Sequence, residues 1–326
     1  MRRREFMSVL AAVIPGAWPL AARAQTGIKR VGVIYRGGPF ESGIEALRDG
    51  LRGAGLEEGR HFALLVRDSK GGDAAAAEAA ARDLERDDKV DIIVAITSTV
   101  ARAAKQATEK VPIVFAIGAD AVAVGLVESI AAPGGRLTGF QFLTVDLTAK
   151  RLEILREIVP KLRRIVTFYN PRIRVAVSAL AATRDAAGKL AIEVVAQQVT
   201  SPEEVRERLR TLSTAHAEAY FFVSDGTTAV HAGLIIEAAN TLSLPTMVED
   251  LGLVRAGALA GYGPEHREYG RRAASYVARI LAGTLPRDLP VETVHQQALA
   301  INLNTAKALN LTIPPTLLAR ADEVIE

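Results

Sequence analysis

Short runs of β-branched and aliphatic residues alternate with longer, alanine-rich amphipathic runs between residues 30 and 248. No other feature constrains the fold as tightly. The segments 30–35 (RVGVIY), 61–67, 90–96 (VDIIVAI), 112–117 and 137–140 read as strands. Between them, 42–56 reads as a helix with Ile44, Leu47, Leu51 and Ala54 on one face, 73–86 as a helix that Asp73 can N-cap, and 98–108 as a third. A second series follows, with helices at 145–159, 173–190, 202–212 and up to 242, and strands at 164–169, 192–199, 219–224 and 245–248. Such alternation predicts parallel strands joined by right-handed helical crossovers. Strands that are apolar throughout call for helices on both sheet faces. Two series of about 110 to 120 residues predict two similar α/β lobes, close together and with a cleft between them.

The first 24 residues stand apart from this pattern. Arg2, Arg3 and Arg4 precede an apolar stretch at 6–20, and Ala22-Arg23-Ala24 offers a small-x-small cleavage site before Gln25. The stretch is too short to span a bilayer, and Pro15, Gly16 and Pro19 interrupt it. The reading is an export signal cleaved after Ala24, of Sec type or, given Arg3-Arg4, of twin-arginine type. A retained membrane anchor is the alternative. No cysteine follows the apolar stretch, which excludes a lipid-modified lipoprotein.

Charge is informative only once that segment is set aside. The chain has 40 Lys and Arg against 37 Asp and Glu, and the segment takes four Arg and one Glu, leaving 36 against 36. A formally neutral mature chain gives no footing to a nucleic-acid role. There is no cysteine, so an exported chain of this kind depends on its apolar core and not on disulfides.

Motifs for catalysis are missing. The sequence has no G-x-S-x-G, no P-loop and no G-x-G-x-x-G after its first strand. The five histidines share no i, i+4 spacing, so neither a metal nor a cofactor is expected.

Four stretches carry a family resemblance: IVFAIGADAVAVGLVESIAAPGGRLTGF (113–140), GYGPEHREYGRRAASYVARILAG (261–283), LPRDLPVE, and INLNTAKALNLTIPPTLLARADEVIE (301–326). Together they resemble the ABC-transporter substrate-binding proteins related to the tryptophan-binding proteins. The resemblance implies a type I periplasmic-binding-protein fold, in which two doubly wound lobes with parallel central sheets are joined by three crossing strands. It places the crossings near 140–144, 259–262 and 289–292. The first lobe is then 27–143 plus 261–289, and the second 144–260 plus 290–326. The chain departs from the family pattern at Asp120-Ala121, where Asp-Pro is common, at Gly257-Ala258-Leu259, where Gly-Gly-Leu is common, and across 141–146.

In doubly wound sheets, ligands bind beyond the carboxyl ends of the strands, where free amides at helix starts favour anions. Thr97 and Ser98, followed by Thr99, sit at such a point, either to hold a carboxylate or simply to cap the helix. Asp120 and Asp225 follow strands, either to accept bonds from a ligand ammonium or to form turns. Asn170, before Pro171, is a ligand group or a turn former. Tyr35, Phe140 and Tyr262, with Phe142, are aromatic walls of the cleft or plain core. Gly38, with Gly37, lets a loop approach the ligand or merely turns. The functional reading is a monomeric periplasmic clamp that captures a small organic solute, an amino acid or aromatic-type compound, and presents it to an ABC permease. A receptor-linked sensor and an exported enzyme are the alternatives.

Overall fold

The computed structural model describes residues 27–71, 73–215 and 217–326. The expected export signal and its cleavage site lie outside these residues. The strands are β1 (Lys29–Tyr35), β2 (Phe62–Asp68), β3 (Ile92–Ile96), β4 (Ile113–Ile117), β5 (Leu137–Gln141), β6 (Arg164–Tyr169), β7 (Glu193–Gln198), β8 (Ala219–Phe221), β9 (Thr246–Val248), β10 (Ala260–Gly263), β11 (Glu292–Thr293), β12 (Ala298–Asn302) and β13 (Glu323–Ile325). They form two sheets, in the orders β11-β5-β4-β3-β1-β2 and β13-β12-β10-β9-β8-β6-β7. Every pairing in the first sheet is parallel. The second is parallel except where β12 meets β10. The antiparallel junction arises because β12 enters from the other lobe and not through a helical crossover.

The central strands β3 and β4 are buried along their whole length. Alternate residues of these strands feed two separate apolar clusters, one on each sheet face. The second sheet is covered in the same way. The helix His266–Leu281 packs on the helix Glu41–Gly53, returning the chain to the first lobe. Glycine makes this contact possible, since a Cβ on Gly270 would lie 1.7 Å from the carbonyl oxygen of Gly43.

The chain passes between the sheets three times: after β5, after β10 and after β11. Gly261 and Tyr262 belong to β10 itself, paired to β9 and β12, so the second passage follows Gly263. Glu292 and Thr293 pair with β5 of the first sheet, so the third passage follows Thr293. Both passages fall a few residues later than the sequence suggests. A short strand's sheet membership depends on distant partners and leaves no local signal.

Candidate ligand-binding cleft

Strands β1, β3 and β4 of the first sheet and β8 and β9 of the second end at a shared cleft. A cavity of about 70 Å³ lies there, with walls from both lobes. The lobes touch beside it: a Cβ on Gly38 would sit 3.1 Å from the Cα of Val230.

The first-lobe wall presents hydrogen-bond donors. Thr97 joins β3 to the helix Ser98–Ala107 with φ 88° and ψ 153°, a region that β-branched residues avoid. Its amide donates to the Ala116 carbonyl at 2.8 Å, which pins the strained turn to β4. Its hydroxyl oxygen is buried with no partner among the described residues. The amides of Ser98, Thr99 and Val100 open the helix beside it, where no intrahelical acceptor precedes them. Arg36, directly after β1, is 2% exposed. Its Nε and Nη2 donate to the Gly71 carbonyl at 3.1 and 2.6 Å. The guanidinium lies so close to Gly226 that a Cβ there would come 1.9 Å from Nη1. Burial lowers its pKa to about 10, with Asp225 acting against the shift, so the group stays charged at neutral pH.

The second-lobe wall presents acceptors. Asp225 is buried and caps the short helix Gly226–Val230 through Thr227 N at 2.6 Å and Thr228 N at 3.4 Å. It also accepts from the Asn170 amide. Burial pushes its carboxyl pKa up, while these amides and Arg36 pull against that. Glu249, directly after β9, accepts from Ser224 Oγ at 2.5 Å and lies 3.6 Å from the fully buried guanidinium of Arg151. Ser224 Oγ also lies within hydrogen-bond distance of Thr144 Oγ1, 2.9 Å away at the start of the first interlobe passage. The Glu249 side chain is 20% exposed, so one face of it remains open to the cleft.

Between these walls lie Phe40, His266 and Tyr269. The His266 ring sits 4.3 Å from that of Phe40, and Tyr269 stacks on Phe142 at 4.1 Å. His266 Nδ1 is 2.9 Å from Asp250 Oδ2, which also accepts its backbone amide at 2.8 Å. Burial works against the charge on both, yet their mutual attraction leaves His266 above and Asp250 below its ordinary pKa.

Of the residues singled out from the sequence, Thr97, Ser98 and Asp225 meet at this cavity. Asn170 lines a second cavity beside it, its Nδ2 donating to Thr227 Oγ1 at 3.0 Å. Gly38 lies at the lobe contact. Tyr35 and Phe140 pack in the first lobe's core and Tyr262 against the second's. Asp120 is exposed, accepting from the amides of Val122 and Ala123 at 2.9 and 2.8 Å. These four line neither cavity. Arg36, Glu249, His266 and Tyr269 escaped the sequence reading. A charged residue directly after a buried strand was the available signal for Arg36 and Glu249. Among the described residues no cluster of His, Asp or Glu could hold a metal, and no helix is long and apolar enough to cross a membrane.

The family described as ABC transporter substrate binding protein matches residues 31–325. The chain belongs to this family. A relative, the tyrosine-binding protein of Clostridioides difficile R20291, is 30% identical over 228 residues, or 69% of this chain. The match spans 64% of that relative's own length. Among solved structures, a conserved domain protein of Vibrio cholerae O1 biovar El Tor superposes with TM-score 0.82 at 29% identity, covering 91% of this chain and 99% of that one. A Streptococcus pneumoniae ABC domain in complex with L-Trp gives TM-score 0.81 at 22% identity, over 92% and 100% of the two chains. A ligand-free, open substrate-binding protein from Clostridium difficile gives 0.62 at 25% identity, over 91% and 99%. In this chain the donors of the first lobe and the acceptors of the second face the same interlobe cavity.

Proposed function

We propose that this chain is an exported solute-binding protein of an ABC importer, and that it closes on a zwitterionic, amino-acid-like solute. One observation carries the reading: a single cavity joins unpaired donors on one lobe to carboxylates on the other. A solute carboxylate fits the Thr97 hydroxyl and the amides that open the helix Ser98–Ala107. A solute ammonium fits the open face of Glu249, with Asp225 beside it. Phe40 and Tyr269 offer apolar area to the rest of the solute. The tyrosine-binding and L-Trp-bound relatives support an aromatic amino acid as the first candidate. The remaining sequence-based expectations belong to the same reading: Asn170 and Gly38 shape the rim, Tyr35, Phe140 and Tyr262 back the walls from the core, and Asp120 stays outside. The protein acts as a monomer after export to the periplasm, delivers the solute to a membrane permease and returns it chemically unchanged.

Two measurements test this. Mass spectrometry of solute released from denatured protein identifies what the clamp carries. Thermal shift with L-Tyr, L-Trp and other amino acids measures binding, since a ligand adds RT ln(1 + [L]/Kd) to stability. The expected result is one solute per chain, recovered intact. A chemically altered product, or no stabilisation by any amino acid, would contradict the reading.

A further inference from the structure

A second, larger cavity of about 400 Å³ adjoins the first and is likewise walled by both lobes. Arg36, Thr99 and Ile173 line both cavities, so a solute entering the parted lobes meets the two together. The inner cavity alone has room for a compact group such as a few waters, whereas binding pockets for drug-sized solutes usually run to several hundred Å³. The outer cavity therefore decides what lies beyond the solute's zwitterionic end.

Its chemistry is cationic. Arg36 forms its back wall, and Lys70 and Arg172 stand at its mouth, one from each lobe. None of the three makes an ion pair within 4.0 Å among the described residues. Arg36 is buried, and its only hydrogen-bond acceptor among them is the Gly71 carbonyl. The acidic groups nearby include Asp225, which faces Arg36 and accepts from the Thr227 amide at 2.6 Å, and Asp68, which accepts from the Lys70 amide at 2.8 Å. Asp73 accepts from the Ala76 amide at 2.7 Å, and Glu204, the carboxylate that senses Arg172, accepts from the Thr200 amide at 2.6 Å. His231 also lines the cavity, and burial with Arg206 nearby favours its neutral form. Hydroxyls of Thr99 and Thr227 supply further donors, whereas that of Thr200 already donates to Glu204 at 3.0 Å. Asp225 attracts Arg36 but forms no ion pair with it within 4.0 Å and is held by the amides of Asn170, Thr227 and Thr228, so the buried guanidinium can still donate a charge-assisted hydrogen bond to an anionic ligand.

We infer that the outer cavity is an anion subsite, and that the solute carries an acidic group, carboxylate or phosphate, beyond its amino-acid end. The inference rests on the clamp reading above. Matched probes test it: L-norleucine against L-2-aminoadipate for a carboxylate, and L-tyrosine against O-phospho-L-tyrosine for a phosphate. Titration calorimetry on the full chain should show one acid-bearing member binding at least about tenfold more tightly than its neutral counterpart. The two pairs separate a carboxylate from a phosphate preference. The double variant Lys70→Gln/Arg172→Gln, at two exposed positions, should remove about tenfold from the acid-bearing member and less than about twofold from the neutral one. Equal affinity within both pairs overturns the anion subsite and leaves the clamp standing. A co-purified solute without a second acidic group does the same. Binding of no probe at all, with no solute released, overturns both.

Discussion

Replacing Thr97 with glycine should make the protein more stable and its binding weaker. The backbone at Thr97 occupies φ 88° and ψ 153°, a region that only glycine adopts easily. Holding a β-branched residue there stores on the order of 1–3 kcal/mol. Glycine releases that strain but loses about 0.5–1 kcal/mol through the greater freedom of its unfolded chain. The Thr97 amide bond to Ala116 O needs no side chain and survives, so the net gain is about 1 kcal/mol. For a chain of this size that raises Tm by roughly 2–4 °C. The same change removes the unpartnered hydroxyl that faces the cavity. A hydrogen bond to a charged group contributes about 1.5–3 kcal/mol, so affinity for a carboxylate-bearing solute should fall roughly ten- to hundredfold. Thr97→Val separates the two effects, because it keeps the strain and loses the hydroxyl: affinity falls and Tm barely moves. Differential scanning fluorimetry without solute and calorimetry with it read both quantities. A Thr97→Gly protein that melts lower than the parent, or binds as tightly, would refute the claim that strain here serves the site.

Three further outcomes follow from packing and charge. Gly270→Ala forces a Cβ into the Gly43 carbonyl, so the two helices must part; the first lobe should lose about 1–3 kcal/mol or more in chemical denaturation. Gly226→Ala displaces the Arg36 guanidinium from the cleft wall and should weaken solute binding at least about tenfold in calorimetry while the circular dichroism of the protein is kept. The Asp250–His266 pair makes stability depend on pH at both ends. Asp250 lies below its ordinary 3.8, so its contribution is present above that value and is lost as pH falls through the folded pKa. His266 lies above its ordinary 6.5, so its contribution is full below 6.5 and is lost as pH rises through the folded pKa. His266→Gln should flatten the alkaline part of the stability–pH curve, and an unchanged curve would remove the ion pair from the account.

The alternation of strands and helices was legible because burial writes itself locally. An all-apolar run such as IIVAI needs two covered faces wherever it sits. Thr97 and Ser98 were legible for a related reason, since a hydroxyl pair between a buried strand and a helix marks the sheet's carboxyl edge. Asp225 carried a turn signal that matched its capping role, and its cleft position came with it. Arg36 was not legible, because its burial depends on Gly226 and Gly71 from different lobes. Tyr262 and Phe140 look the same in sequence whether they face a ligand or a core, and only the packing of distant elements separates the cases. The antiparallel β12 and the late interlobe passages were hidden for the same reason: strand partners come from far along the chain.

The claim that two lobes close around a solute can be measured as a distance. The sequence has no cysteine, so Ala75→Cys and Glu203→Cys would carry the only two labels. Both positions are exposed, and the adjacent Ala74 and Pro202 line opposite sides of the outer cavity. Single-molecule energy transfer between the labels should show two populations, a longer distance without solute and a shorter one that fills as solute is added, at the Kd found by calorimetry. A distance that stays fixed through saturating binding would contradict the account.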